Sequence, residues 1–306
     1  MTTQSLAPQG ITRPPTRDLG LLTIALLAVS TSGPLIAATV APALAIAFWR
    51  NAMAGAVLLP VAFLRNRHEL KGLTRREKRL ALAAGLLLAL HFATWIPALD
   101  YTSVASATAL VATQPVWSAL LDVARGRNVP KQVWLGIAVA MSGALLLTGA
   151  DLQVSGDALK GDALAIAGGM FAAMYMMAGS EVRKSVSTTT YTALCYSTTA
   201  VLLLGTCLIG GQALTGYAGV DWVKLLALTA GAQLLGHSLF NAVLRTTSPT
   251  VVSLSILFEI PGAAVIAALF VKGQHVPWLA VPAAVLLVTG LALVIRTSTS
   301  PSIPVE

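Results

Sequence analysis

The chain consists almost entirely of apolar stretches long enough to cross a lipid bilayer. A membrane-spanning helix needs ~20 mostly apolar residues, and the 306 residues contain ten such stretches joined by short hydrophilic connections. They fall at residues 19–38, 43–64, 80–98, 102–121, 133–147, 163–180, 191–209, 223–243, 251–271 and 278–295. The sequence therefore predicts an all-α integral membrane protein with ten transmembrane helices.

The composition excludes a soluble globular domain. Hydrophobic residues make up 56% of the chain and charged residues only 10%, and the mean hydropathy is +0.78. The longest hydrophilic connection runs only from 65 to 79, so no soluble domain fits between the spans. Residues 1–17 and 297–306 are rich in Pro, Ser and Thr, and we expect them to be disordered cytoplasmic tails.

The two halves of the chain echo each other. Pro115 and Pro261 lie 146 residues apart, and the same offset places His91 onto His237. The echo predicts two five-helix repeats, 18–150 and 158–296. Because five is odd, the second repeat must enter the membrane from the opposite side. Such inverted repeats are typical of transporters whose substrate site lies between the halves near the bilayer midplane.

The net charge of +8 follows the predicted membrane topology. With the N-terminus inside, sixteen of the twenty Lys and Arg residues fall on the cytoplasmic side and three outside, while Arg50 lies within a span. This asymmetry follows the positive-inside rule and predicts that both termini are cytoplasmic. The basicity therefore indicates no nucleic-acid partner.

Three segments carry a resemblance to a known family. Residues 98–107 with 114–117 resemble the third-to-fourth helix signature of the drug/metabolite transporter superfamily, EamA type, and residues 253–261 are similar to its ninth helix. The sequence around Arg50 resembles the second helix. Within the superfamily, His91, Trp95 and the Met- and aromatic-rich sixth helix look like the YddG-type aromatic amino acid exporters.

This resemblance implies a bacterial inner-membrane protein that exports amino acids, aromatic or other neutral ones, and related metabolites by alternating access. The alternative is export of drugs or other small metabolites. It implies no cofactor, and we expect a monomer. An intramembrane enzyme or a channel is the competing class, but the chain has no DxxxD, HExxH or GxSxG pattern and no clustered Cys and His that would predict a metal site.

Helical spacing supplies candidates for the substrate site. His91 and Trp95 share one face of the third helix at mid-membrane depth. Gln233, His237 and Asn241 form a polar stripe at four-residue spacing on the eighth helix. For each group the alternative is packing against neighbouring helices.

The sixth helix offers Met170, Met174 and Tyr175 as an apolar wall beside Trp95, which can bind an ammonium group by a cation–π contact. Packing is the alternative here as well. Arg50 and Glu259 are charges deep in the membrane, where an unpaired charge is costly. They either pair with each other, or Glu259 binds backbone freed by Pro261. In the functional alternative, Glu259 is a proton or amine site.

Overall fold

The computed structural model describes residues 14–102, 104–148, 156–270 and 278–297. Within those residues every regular element is helical and no strand occurs. The helices are α1 Thr16–Val29, α2 Ser32–Ala38, α3 Ala43–Arg65, α4 Arg67–Gly72, α5 Arg75–Ala98, α6 Val104–Val111, α7 Gln114–Ala124, α8 Lys131–Thr148, α9 Gly156–Val182, α10 Thr188–Ile209, α11 Gly219–Leu228, a π-helical segment Thr229–His237, α12 Ser238–Val243, α13 Pro249–Ile256, α14 Glu259–Phe270 and α15 Ala280–Thr297.

The predicted tails fall mostly outside the described residues. Residues 1–13 and 298–306 are not described, whereas Thr16 and Arg17 belong to α1 and Thr297 to α15. The boundary between the predicted repeats also falls on undescribed positions, 149–155.

Eight helical stretches of the described chain are long and apolar enough to cross a membrane. They are Thr16–Ala38, Ala43–Arg65, Arg75–Ala98, Gly156–Val182, Thr188–Ile209, Gly219–Val243, Pro249–Ile266 and Ala280–Thr297. A ninth apolar helix, Lys131–Leu146, is shorter. The predicted span 102–121 contains the two short helices α6 and α7 instead of one long helix. The protein is thus an all-helical, multi-pass membrane protein.

Three of the spans are broken into two helices, and each break is followed by a proline. Pro34, Pro115 and Pro261 lie in the first turn of α2, α7 and α14, respectively. Proline has no amide to donate, and its ring clashes with the carbonyl four residues earlier. It can therefore begin a new helix but cannot continue the old one.

At the first break, the side chains of Ser30 and Thr31 donate to the carbonyls of Leu26 and Ala28, both at 2.7 Å. The amides of Ser30 and Thr31 also bond to these two carbonyls, at 2.9 and 3.4 Å, so each hydroxyl adds a second donor at the point where the helix ends.

The helices pack through small residues. α3 packs against α10, α5 against α9, and α8 against α15. Between α8 and α15, a Cβ atom on Gly136 would lie 2.7 Å from the carbonyl oxygen of Gly290. Only glycine permits this approach, which brings the two helix backbones into direct contact.

Candidate functional site

A cavity lies where the broken helices meet. Its wall includes residues at all three breaks, among them Ser32 beside the first, Ala112 and Gln114 at the second, and Leu257 and Glu259 at the third. The cavity volume that the centre of a water molecule can occupy is about 70 Å³. This is several times the roughly 10–15 Å³ that a single water needs on this measure. The cavity can therefore accommodate a small solute.

Six of the ten residues predicted for the site line this cavity: Arg50, His91, Trp95, Tyr175, His237 and Glu259. Gln233 and Asn241 are fully buried behind the wall and contact residues that line it. Met170 and Met174 are half-buried and are not among the lining residues. A neighbouring methionine, Met176, lines the cavity instead.

His91 and Trp95 form one stacked face of the cavity. Their rings are nearly parallel, at an interplanar angle of 6° and a centroid distance of 5.8 Å. His91 Nδ1 lies 2.9 Å from the carbonyl oxygen of Gly168. Because a carbonyl only accepts, Nδ1 carries the proton in this bond, and Nε2 of the neutral ring is left as an acceptor. His91 therefore both joins α5 to α9 and lines the cavity.

Arg50 is anchored by the π-helical segment. Its Nε donates to Gln233 Oε1 at 2.8 Å, and Nη1 donates to Ser32 Oγ at 3.4 Å. Gln233 Nε2 donates in turn to Asn51 Oδ1 at 3.1 Å. The guanidinium also lies over the ring of Phe92, 4.5 Å from its centroid. These contacts fix the position of a cation that is only 1% exposed.

Tyr175 is held by a second polar cluster. Its hydroxyl lies 2.8 Å from Asn241 Oδ1, and Asn241 Nδ2 lies 3.3 Å from the hydroxyl of Tyr196. Asn241 thus orients the tyrosine that lines the cavity without lining it itself.

Three buried polar atoms of the lining residues have no hydrogen-bond partner: Arg50 Nη2, Trp95 Nε1 and His237 Nδ1. Only two other buried side-chain polar atoms of the described chain, on Tyr191 and Ser197, share this state. A buried donor or acceptor without a partner costs about 1–3 kcal/mol. Their concentration around one cavity indicates that a polar ligand or water completes the site.

Glu259 begins α14 at the third break, where the partial positive charge of a helix N-terminus favours a carboxylate. The ion pair with Arg50, one of the alternatives for Glu259, does not form, since no carboxylate oxygen of Glu259 lies within 4.0 Å of the guanidinium. Nor does its side chain hydrogen-bond to any other described residue. Ser30 Oγ approaches the main-chain carbonyl of Glu259 instead, at 3.5 Å.

Sequence reasoning missed the polar residues at the crossing of α7 and α13. Gln114 Nε2 donates to Ser253 Oγ at 3.0 Å, and Ser118 Oγ lies 3.0 Å from the same oxygen. Both Gln114 and Ser253 line the cavity. The available signal was the position of Gln114 directly before Pro115, where a broken helix exposes polar groups.

Broken helices, eight apolar spans in the described residues and a cavity with unpartnered polar atoms are features of membrane proteins that bind a small solute. Residues 18–149 and 159–296 match the EamA-like transporter family. The chain belongs to this family, whose members are transporters and not enzymes, within the drug/metabolite transporter superfamily.

Twenty-nine solved chains match this structure. One, titled "Crystal structure of protein", is similar at a TM-score of 0.74 and 18% identity over 91% of this chain and 97% of that chain. At that identity the likeness concerns the fold alone. No curated protein matches the chain.

Proposed function

We propose that the protein exports amino acids, aromatic or other neutral ones, across a bacterial inner membrane by alternating access through this cavity. The observation that carries the proposal is the juxtaposition of a stacked aromatic face, His91 and Trp95, with unpartnered polar atoms on Arg50, Trp95 and His237. An apolar wall with a few placed polar groups suits a solute with one apolar and one polar end. Export of other small metabolites or drugs is the alternative within the family.

The proposed architecture is ten spans in two inverted repeats, 18–150 and 158–296. The helix contacts support it. If each of the first five spans is matched in order with one of the last five, then α3 matches α10, α7 matches α13 and α8 matches α15. Each of these matched pairs is in contact, so exchanging the two halves leaves these contacts unchanged. The same pairing relates the α5–α9 contact to the contact of α1 with the π-helical segment. A pseudo-two-fold axis between the halves accounts for this pattern.

Transport tests the proposal directly. We expect purified protein in liposomes to catalyse counterflow of labelled phenylalanine, and Trp95→Ala to reduce the rate about tenfold because an aromatic contact worth ~1.4 kcal/mol is lost. Trp278→Ala is the matched control, since Trp278 is 82% exposed and does not line the cavity. The measurement is initial rate per folded protein.

Two results would contradict this expectation. Equal losses of rate in both tryptophan variants would mean that the effect is not specific to the cavity. If Trp95→Ala lowers the amount of folded protein as much as it lowers total transport, Trp95 has a packing role.

A further inference from the structure

The cavity wall contains one basic and one acidic side chain, Arg50 and Glu259, that do not form an ion pair with each other. Arg50 has a free Nη2 despite its bonds to Gln233 and Ser32. Glu259 faces the same cavity and is not paired with Arg50 or with another described side chain. An unpaired charge inside a membrane protein is expensive. A ligand with complementary charges can therefore compensate both side chains better than water does.

The hydrogen-bonding atoms around each charge differ. Arg50 Nη2 is a free donor that suits a carboxylate, and Trp95 Nε1 is a second free donor in the same cavity wall. Glu259 offers acceptor oxygens only when ionised, which suit an ammonium. The stacked rings of His91 and Trp95 add an aromatic face to the same cavity.

We propose that the cavity recognises its substrate by both charges at once, with the substrate carboxylate on Arg50 and the substrate ammonium on Glu259. The inference rests on the proposed function and narrows it to free zwitterionic amino acids. A plain carboxylic acid leaves the charge of Glu259 uncompensated, and a plain amine leaves that of Arg50 uncompensated. A neutral apolar solute compensates neither.

Four related probes separate these cases. Phenylalanine carries both charges, phenylalanine methyl ester and phenethylamine lack the carboxylate, and N-acetylphenylalanine lacks the ammonium. We expect isothermal titration calorimetry on the purified full-length protein to show that each of the three analogues binds about 10- to 100-fold more weakly than phenylalanine. This range is that of a lost hydrogen bond to a charged group.

Variants assign each charge to its residue. Glu259→Gln should weaken phenylalanine to the affinity of N-acetylphenylalanine and leave N-acetylphenylalanine itself unchanged. Arg50→Gln should weaken phenylalanine binding to the affinity of the methyl ester and leave the affinity of the ester itself unchanged. Arg50→Lys keeps the charge, so this variant should retain the preference for phenylalanine over the ester. It tests the role of the charge if Arg50→Gln does not fold. Glu181→Gln removes a carboxylate that pairs with Arg76 and Lys184, and it should leave all four affinities unchanged.

The outcomes separate the two proposals. If phenylalanine is bound and transported but the ester or the N-acetyl form binds equally well, the two-charge inference fails and the transport proposal stands. Equal weakening of all four probes by Glu259→Gln also overturns the inference. If the expected affinity ratios appear without counterflow, recognition stands and the proposed function fails. If none of the four binds, both fail.

Discussion

At the scale of single residues, Glu69 joins two parts of the chain that are far apart in sequence. Its carboxylate accepts from the amide of Ser187 at 2.6 Å, from the hydroxyl of Thr190 and from Asn66 Nδ2 at 3.2 Å. Glu69 lies in α4, between two spans, and Ser187 caps the N-terminus of α10. Partial burial raises the pKa of Glu69, but the hydrogen bonds from Ser187, Thr190 and Asn66 together lower it below the ordinary value of 4.5.

This lowered pKa makes the contribution of Glu69 dependent on pH. Because the folded protein favours the ionised form, the stabilisation is complete above the pKa of the unfolded chain and is lost as the pH falls through the folded value. We expect Glu69→Gln to cost about 1 kcal/mol at pH 7, which is a loss of ~2–4 °C in Tm. The difference from the unsubstituted protein should shrink below pH 4.5.

Thermal unfolding in detergent between pH 7 and pH 3.5 measures this effect. Asp100→Asn is the control, because Asp100 is exposed and its carboxylate has no hydrogen-bond partner among the described residues. If the loss of stability caused by Glu69→Gln does not change with pH, the loss does not come from the missing negative charge.

The residue scale also shows what the sequence could not predict. The sequence placed Gln233, His237 and Asn241 on one stripe, and in the structure Gln233 and His237 lie in a π-helical segment that α12 continues. His237 lines the cavity, whereas Gln233 bonds Arg50 and Asn241 bonds Tyr175, two residues that line it. Spacing identified the polar residues, but it does not show that Gln233 and Asn241 are fully buried behind the residues that line the cavity.

At the scale of elements, the presence of the long helical spans was more predictable than where the helices begin, end and break. Apolar length identified the long spans, and Pro115 and Pro261, which matched each other in the two halves of the sequence, lie where spans four and nine are broken into two helices. The exact breaks were not predictable, because the last turn before each proline tightens. At the third break, Leu257 and Phe258 bond to Leu254 and Ser255, three residues back instead of four.

The close contact of α8 with α15 yields a prediction at this scale. A Cβ on Gly290 would lie 2.6 Å from the amide nitrogen of Ala140, so Gly290→Ala must push the two helices apart. We expect a loss of about 1–3 kcal/mol, the usual range for overpacking, measured as a lower denaturant midpoint in detergent.

Gly205→Ala is the matched control for this change. Gly205 lies inside α10 with nothing within 4 Å of the added methyl group, and alanine favours a helix over glycine. We expect Gly205→Ala to be neutral or slightly stabilising. Similar losses in both variants would rule out close packing as the cause.

At the scale of the whole molecule, the side-chain bonds assign the helix ends to two opposite sides. On one side, Glu181 at the end of α9 pairs with Arg127 beyond α7 at 3.8 Å and with Arg76 at the start of α5 at 3.6 Å. On the other, Thr102 after α5 donates to Asp162 near the start of α9 at 2.8 Å. The first side contains the basic connections, which supports a cytoplasmic location for it.

Reporter fusions test this orientation. We expect a reporter inserted within residues 65–79 to be cytoplasmic and one at Asp157 to be external. Residues 65–79 lead into the start of α5, whereas Asp157 lies at the start of α9, which is bonded to the chain just after the end of α5. Alkaline phosphatase and green fluorescent protein activities of the two fusions give the answer. Both reporters on the same side would contradict the ten-span scheme.

The broken helices have a mechanical consequence. An intact transmembrane helix transmits a displacement from one face of the membrane to the other as a rigid rod. In the α6–α7 pair, the amide of Thr113 bonds to Leu110, and the ladder resumes only with Val116 bonded to Thr113. The rod is therefore interrupted beside Ala112 and Gln114, which line the cavity. The residues that would touch a solute thus lie where the span lacks the regular backbone bonds that stiffen a helix.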